Sequence, residues 1–117
     1  MDELVGRLVA NVGVEQAVAE KAVGIILAFL LKEGPSDKVQ ALIDAMPGAT
    51  AAVQAAADNG GGMGGIMGVG TKLMAAGLSM GQMQGVTREI IAYAREKAGE
   101  DAVGEIVGSI PGLGQFI

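Results

Sequence analysis

The 117 residues include no cysteine, no histidine and no tryptophan, and the aromatic side chains are limited to Phe29, Tyr93 and Phe116. Without cysteine there is neither a disulfide framework nor a thiolate to serve as nucleophile or metal ligand. Without histidine the commonest metal ligand and the usual near-neutral acid and base are missing too. The scarcity of rings leaves Ala, Val, Ile, Leu and Met to fill a core, and their small side chains let backbones approach closely. Basic charge is also scarce. Eight Lys and Arg against thirteen Asp and Glu give a net charge of −5, spread along the chain with no basic run. That balance repels phosphate backbones and anionic lipid surfaces, so nucleic acid is not an expected partner. Long apolar runs are lacking as well: Ala22 to Leu31 covers about half of the ~20 residues a membrane span needs. The start, Met1 to Arg7, has no basic segment followed by an apolar run, and a cytoplasmic protein is expected.

What the sequence does contain is a repeat. Shifting it by 64 residues without a gap lays Ile26, Ala28, Asp37, Val39, Pro47 and Gly48 on the identical Ile90, Ala92, Asp101, Val103, Pro111 and Gly112. Phe29 then falls on Tyr93, Met46 on Ile110, Gly13 on Gly77, and Val5-Gly6 on Val69-Gly70. The pattern reads as a tandem duplication inside a single domain of residues 1–117, with repeats 1–49 and 66–117 joined by an Ala/Gly-rich linker, 50–65.

Each repeat predicts three helices. In the first, Leu4, Val5, Leu8, Val9 and Val12 recur at helical spacing, Glu3 sits one turn from Arg7, and Gly13 supplies the stop. The second helix, 16–32, carries Val18, Ala22, Ile25, Ile26, Phe29 and Leu30 on one face, and Val23, Leu27 and Leu31 widen the stripe almost around it. Gly34-Pro35 ends it, Ser36 is placed to cap a third helix displaying Val39, Leu42, Ile43 and Met46, and Pro47-Gly48 stops that one. Thr50 to Asp58 predicts a short Ala-rich connector helix, and Gly60 to Gly65 a hinge between repeats. In the second copy Val69, Leu73 and Ala76 lead to Gly77. Ser79 and Gln82 have capping-box spacing. The long helix shows Met83, Val86, Ile90, Tyr93 and Ala94, with Arg88, Arg95 and Lys97 elsewhere, and breaks at Gly99. Val103, Ile106, Val107 and Ile110 form the last helix before Pro111-Gly112, and Leu113, Phe116 and Ile117 are apolar enough to dock on the bundle. The expected fold is all-α, a compact helical bundle of two related three-helix units with an Ala/Gly-rich connector, the long helices central about an approximate twofold axis.

Motifs that would carry chemistry are weak. Gly60, Gly62 and Gly65 satisfy G-x-G-x-x-G, but no strand precedes them, and the segment 65–72 ends Gly-Thr-Lys where a phosphate loop needs Gly-Lys-Ser/Thr. Glycines four apart (Gly64/Gly68, Gly77/Gly81, Gly81/Gly85, Gly104/Gly108) suit close helix packing. Met63, Met67, Met74, Met80 and Met83 fill a core or offer a pliable apolar surface. The carboxylates Glu96, Glu100, Asp101 and Glu105 read as a solvated face, with Lys97 one turn from Asp101.

The opening through Leu30, with its apolar helix, Gly13-Val14 turn and Ala19-Glu20-Lys21-Ala22-Val23 start of a long helix, resembles the amino-terminal helical hairpin of the histone-like nucleoid protein HU. The resemblance implies a dimerisation element; HU's basic DNA-binding β-arm has no counterpart here, since Lys38 onward reads as helix in an acidic chain. Over most of its length, with the Gly/Met-rich middle and the ending Ile110-Pro-Gly-Leu-Gly-Gln-Phe-Ile117, the chain also looks like small bacterial proteins of unknown function, which implies a compact helical protein and transfers no activity.

These readings converge on a non-enzymatic cytoplasmic protein that self-associates and works through protein contacts, without cofactor, metal or catalytic residue. A homo-oligomer is the expected assembly, with the identity of any other protein partner unspecified. Interface candidates are Ile25, Ile26, Phe29, Leu30, Met67, Met74, Met80 and Met83. The alternative is an apolar-ligand carrier or sensor, lipid-like in its cargo, with a Met-rich cleft between helices; a membrane-active segment from Gly60 to Gly85 is a third reading.

Overall fold

Helix is the state that this backbone favours nearly everywhere, and the breaks fall where glycine or proline interrupts the hydrogen-bond ladder. The computed structural model describes residues 2–46, 48–58 and 65–110. Seven α-helices lie among them: α1 (Asp2–Asn11), α2 (Gln16–Glu33), α3 (Ser36–Ala45), α4 (Ala49–Asp58), α5 (Gly65–Ala75), α6 (Met80–Ala98) and α7 (Glu100–Ser109). The protein is all-α. The helix starts of α2 and α6, and both ends of α3 and α7, are separated by 64 residues.

The turns obey the same spacing. Gly13 and Gly77 take φ of 83° and 108°, a region where a Cβ is strained. At Gly77 the α5 end closes as a Schellman motif. Leu78 N–H donates to Leu73 O (3.1 Å) and Gly77 N–H to Met74 O (3.0 Å), while the Leu73 and Leu78 side chains are both buried. The next helix then starts with a complete capping box, Gln82 N–H donating to Ser79 Oγ (3.3 Å) and Ser79 N–H to Gln82 Oε1 (3.0 Å). Glu15, at the corresponding place before α2, makes no side-chain cap bond.

Packing has a crossed pattern. α1 lies against both α2 and α6, and α5 against the same two helices. The long helices touch each other, and α3 reaches both α6 and α7. Direction follows from Val12, whose side chain is 3.3 Å from a Cβ placed on Gly85, and from Arg7, which meets Glu96: α1 runs antiparallel to α6. One core results, containing Leu4, Leu8, Leu27, Leu30, Ile90 and Ile106 among its fully buried side chains. The radius of gyration, 12.5 Å, is near the ~13 Å of a tightly packed domain of this length.

α4 breaks the pattern. It packs along α2 more extensively than any other pair of helices does, and also touches α3. This explains the breadth of the apolar surface on α2. Gly24 is buried and Leu31 half-buried, whereas the α6 residues 64 later, Arg88 and Arg95, are exposed. Small residues let helix axes approach closely, and Ala49, at the start of α4, is fully buried.

Three local expectations change. Ser36 is not the α3 cap: the amides of Lys38 and Val39 donate to the Pro35 carbonyl, both at 3.0 Å, so the ladder starts one residue earlier and Pro35 is the N-cap. Val9 is 40% exposed rather than part of the buried stripe, because Leu4, Val5 and Leu8 already fill the inward face. In α5 Leu73 is buried where Val9 is exposed, and Lys72 is half-buried where Leu8 is buried, although Gly68 and Leu4 are buried alike, so the two first helices match at one end and differ at the other. Of the predicted hinge Gly60 to Gly65, Gly65 instead opens α5 and the rest lies outside the described residues, as does the docking of Leu113, Phe116 and Ile117.

Candidate functional site

The polar surface is organised by pairs that tie helices together. Arg7 of α1 places Nη1 2.6 Å from Glu96 Oε2 on α6, with Glu3 4.0 Å away on its own helix. Its guanidinium carbon also lies 5.4 Å from the centroid of Tyr93, one turn before Glu96, and Lys97 Nζ lies at the same distance from that ring. Cations are drawn to the negative face of an aromatic ring, so the buried Tyr93 anchors two charges at the surface. The hydrogen bond from Arg7 holds the Glu96 carboxyl below its usual range and pushes the guanidinium up in turn. Lys38 of α3 pairs with Glu105 of α7 in the same manner.

These pairs account for much of the acidic group read from the sequence. Glu96 and Glu105 have cationic partners on other helices, and Glu100 and Asp101 occupy the first turn of α7, where the helix dipole favours negative charge. Lys97 contacts the Tyr93 ring, in place of the expected pairing with Asp101. Among the described residues no group of three or more Asp or Glu is placed to hold a metal ion. Thr87, the one buried polar residue among the described ones, donates to its own helix at Met83 O (2.9 Å). No described helix is long and apolar enough to cross a membrane.

The interface candidates divide by exposure. Ile26, Phe29, Leu30 and Met83 are buried by the chain's own helices, and Ile25 is half-buried against the core. The side chain of Met67 lies outside the described residues. Met74 and Met80 remain, 59% and 66% exposed. They stand on either side of the α5–α6 corner, Met74 in the last turn of one helix and Met80 as the first residue of the next. The Schellman closure and the capping box lock that corner on both sides, so two flexible thioether side chains project from a fixed backbone.

The glycine seams divide likewise. A Cβ on Gly81, Gly104 or Gly108 would meet no atom within 4 Å, whereas Gly85 is approached by Val12. Gly60, Gly62 and Gly64 lie outside the described residues, and Gly65 is the first residue of α5. A buried glycine that the four-residue spacing does not single out is Gly24, on the helix that α4 accompanies. A scan against family models, a search of curated proteins and a search of solved structures each found no match to this chain.

Proposed function

We propose that this is a non-enzymatic cytoplasmic protein that self-associates and acts through protein contacts, with a second copy of the chain as its first partner. The observation that carries the reading is the α5–α6 corner, where Met74 and Met80 expose apolar surface on a rigid turn. Methionine suits such a role because its unbranched, polarizable side chain adapts to the shape it meets, and a locked backbone lowers the entropy lost on docking. The charged groups support the same conclusion. Arg7, Glu96, Lys38 and Glu105 are engaged in holding helices together instead of converging on a substrate.

Light scattering over a wide concentration range tests the proposal. A mass that rises above the 11.7 kDa of one chain, and returns to it in the Met74→Glu/Met80→Glu variant, is the expected result. A strict monomer at the highest concentration would overturn it.

A further inference from the structure

The methionines whose side chains are described differ sharply in accessibility, and that difference has a chemical consequence. Met46 and Met83 are 1% and 4% exposed, against 59% for Met74 and 66% for Met80, a ratio above tenfold in every pairing. Oxidation of a thioether requires the oxidant to reach sulfur, so susceptibility follows exposure. With no cysteine in the chain, no thiolate competes for the same reagent. We propose that Met74 and Met80 form a modification site at which hydroperoxides generate methionine sulfoxide while the fold protects Met46 and Met83.

The reaction balances without a cofactor. A sulfur lone pair attacks one peroxide oxygen, the O–O bond breaks as the S–O bond forms, and the second oxygen leaves with the proton as water or an alcohol. Sulfur is oxidised by two electrons and the peroxide is reduced by two. The product is a strongly polar acceptor where an apolar side chain stood. Met74 and Met80 contribute nothing to the buried core, so the modified chain keeps its fold. The locked corner is left intact too, since its closure uses backbone groups together with Ser79 and Gln82. What changes is the surface. The effect on assembly rests on the self-association proposed above: sulfoxides at this corner weaken it. The selectivity of oxidation stands independently of that reading.

The full-length protein is treated with hydrogen peroxide and followed by peptide mass mapping, circular dichroism and light scattering. Met74 and Met80 are expected to gain oxygen at more than about ten times the rate of Met46 and Met83, with helicity unchanged and the difference abolished in denaturant. Equal rates for the four residues in the folded protein would overturn the modification site. Loss of the oligomer on oxidation, together with peroxide resistance of an associating Met74→Leu/Met80→Leu variant, supports the regulatory consequence. An oligomer that survives full oxidation of both residues overturns that consequence. A protein that oxidises selectively yet never associates sinks the proposed function and leaves the modification site standing.

Discussion

Arg7 and Glu96 join the first helix of the chain to the far end of the sixth, 2.6 Å apart across 89 residues of sequence. The Glu96 pKa is depressed on folding, chiefly by the hydrogen bond from Arg7, so the stability this pair contributes is present above the unfolded carboxyl's pKa. It is lost as pH falls through the lower folded value. The raised pKa of Arg7 adds no window near neutrality, because the guanidinium is charged throughout. Glu96→Gln should therefore lower Tm at pH 7 and leave it unchanged in acid, below the usual carboxylate range. Thermal melts of both proteins across that span check this; an equal Tm difference at every pH would assign the effect to something other than charge.

Tyr93 bears on the same junction from inside. Its counterpart 64 residues earlier, Phe29, is buried without a hydroxyl, and the two cations near Tyr93 respond to the ring. Tyr93→Phe is expected to change stability by less than about 1 kcal/mol, since shape and ring are conserved. Tyr93→Ala should cost roughly 3–5 kcal/mol through the cavity it leaves. Denaturant unfolding of the two variants distinguishes a ring that packs from a hydroxyl that matters; a large loss in the phenylalanine variant would point to the hydroxyl.

Local features were the legible part of this fold. Gly13, Gly77 and Gly99 mark helix ends because the backbone there takes positive φ, and the Ser79/Gln82 capping box is complete at the spacing the sequence predicts. The apolar positions Val39, Leu42 and Met46 recur as Val103, Ile106 and Ile110, and all six are buried. What could not be read was which element meets which. The Glu3–Arg7 pairing predicted within α1 is longer than the bond from Arg7 to Glu96, a contact that periodicity does not encode. An alanine-rich helix likewise presents no marked face, so the sequence shows that α4 forms but not that it lies along α2. At the candidate surface, Met80 and Met83 are three residues apart and so lie near one face of α6, yet Met80 is in solvent and Met83 in the core, because Met80 is the first residue of the helix at the exposed corner and Met83 lies most of a turn further in.

The approach of α1 to α6 at Val12 and Gly85 gives a third prediction. A Cβ on Gly85 would lie 3.3 Å from Val12 Cγ2, tighter than comfortable contact, so Val12 must yield if Gly85 is enlarged. Gly85→Ala also gains up to about 1 kcal/mol of helix propensity, which opposes the steric cost. The two effects are separated by a double-mutant cycle with Val12→Ala, whose smaller side chain removes the conflict. The double variant should be more stable than the sum of the single changes predicts, by at least about 0.5 kcal/mol. Additive changes would show that the helices part freely at this point.

The last prediction concerns equivalence and its limit. Ile26 and Ile90 are 64 residues apart, sit on α2 and α6, and are 2% and 0% exposed. Removing one methyl from each, as Ile26→Val and Ile90→Val, should cost about 0.5–1.5 kcal/mol in both cases. Leu31 and Arg95 have the same separation but unlike surroundings: one is packed against the core on the helix that α4 accompanies, and the other is exposed. Leu31→Arg should therefore destabilise by roughly 1–3 kcal/mol, whereas Arg95→Leu should stay within about 0.5 kcal/mol. Chemical denaturation of the four variants decides the matter. Similar costs for Leu31→Arg and Arg95→Leu would mean that α4 does not impose the difference between the long helices, and the breadth of the apolar surface on α2 would need another cause.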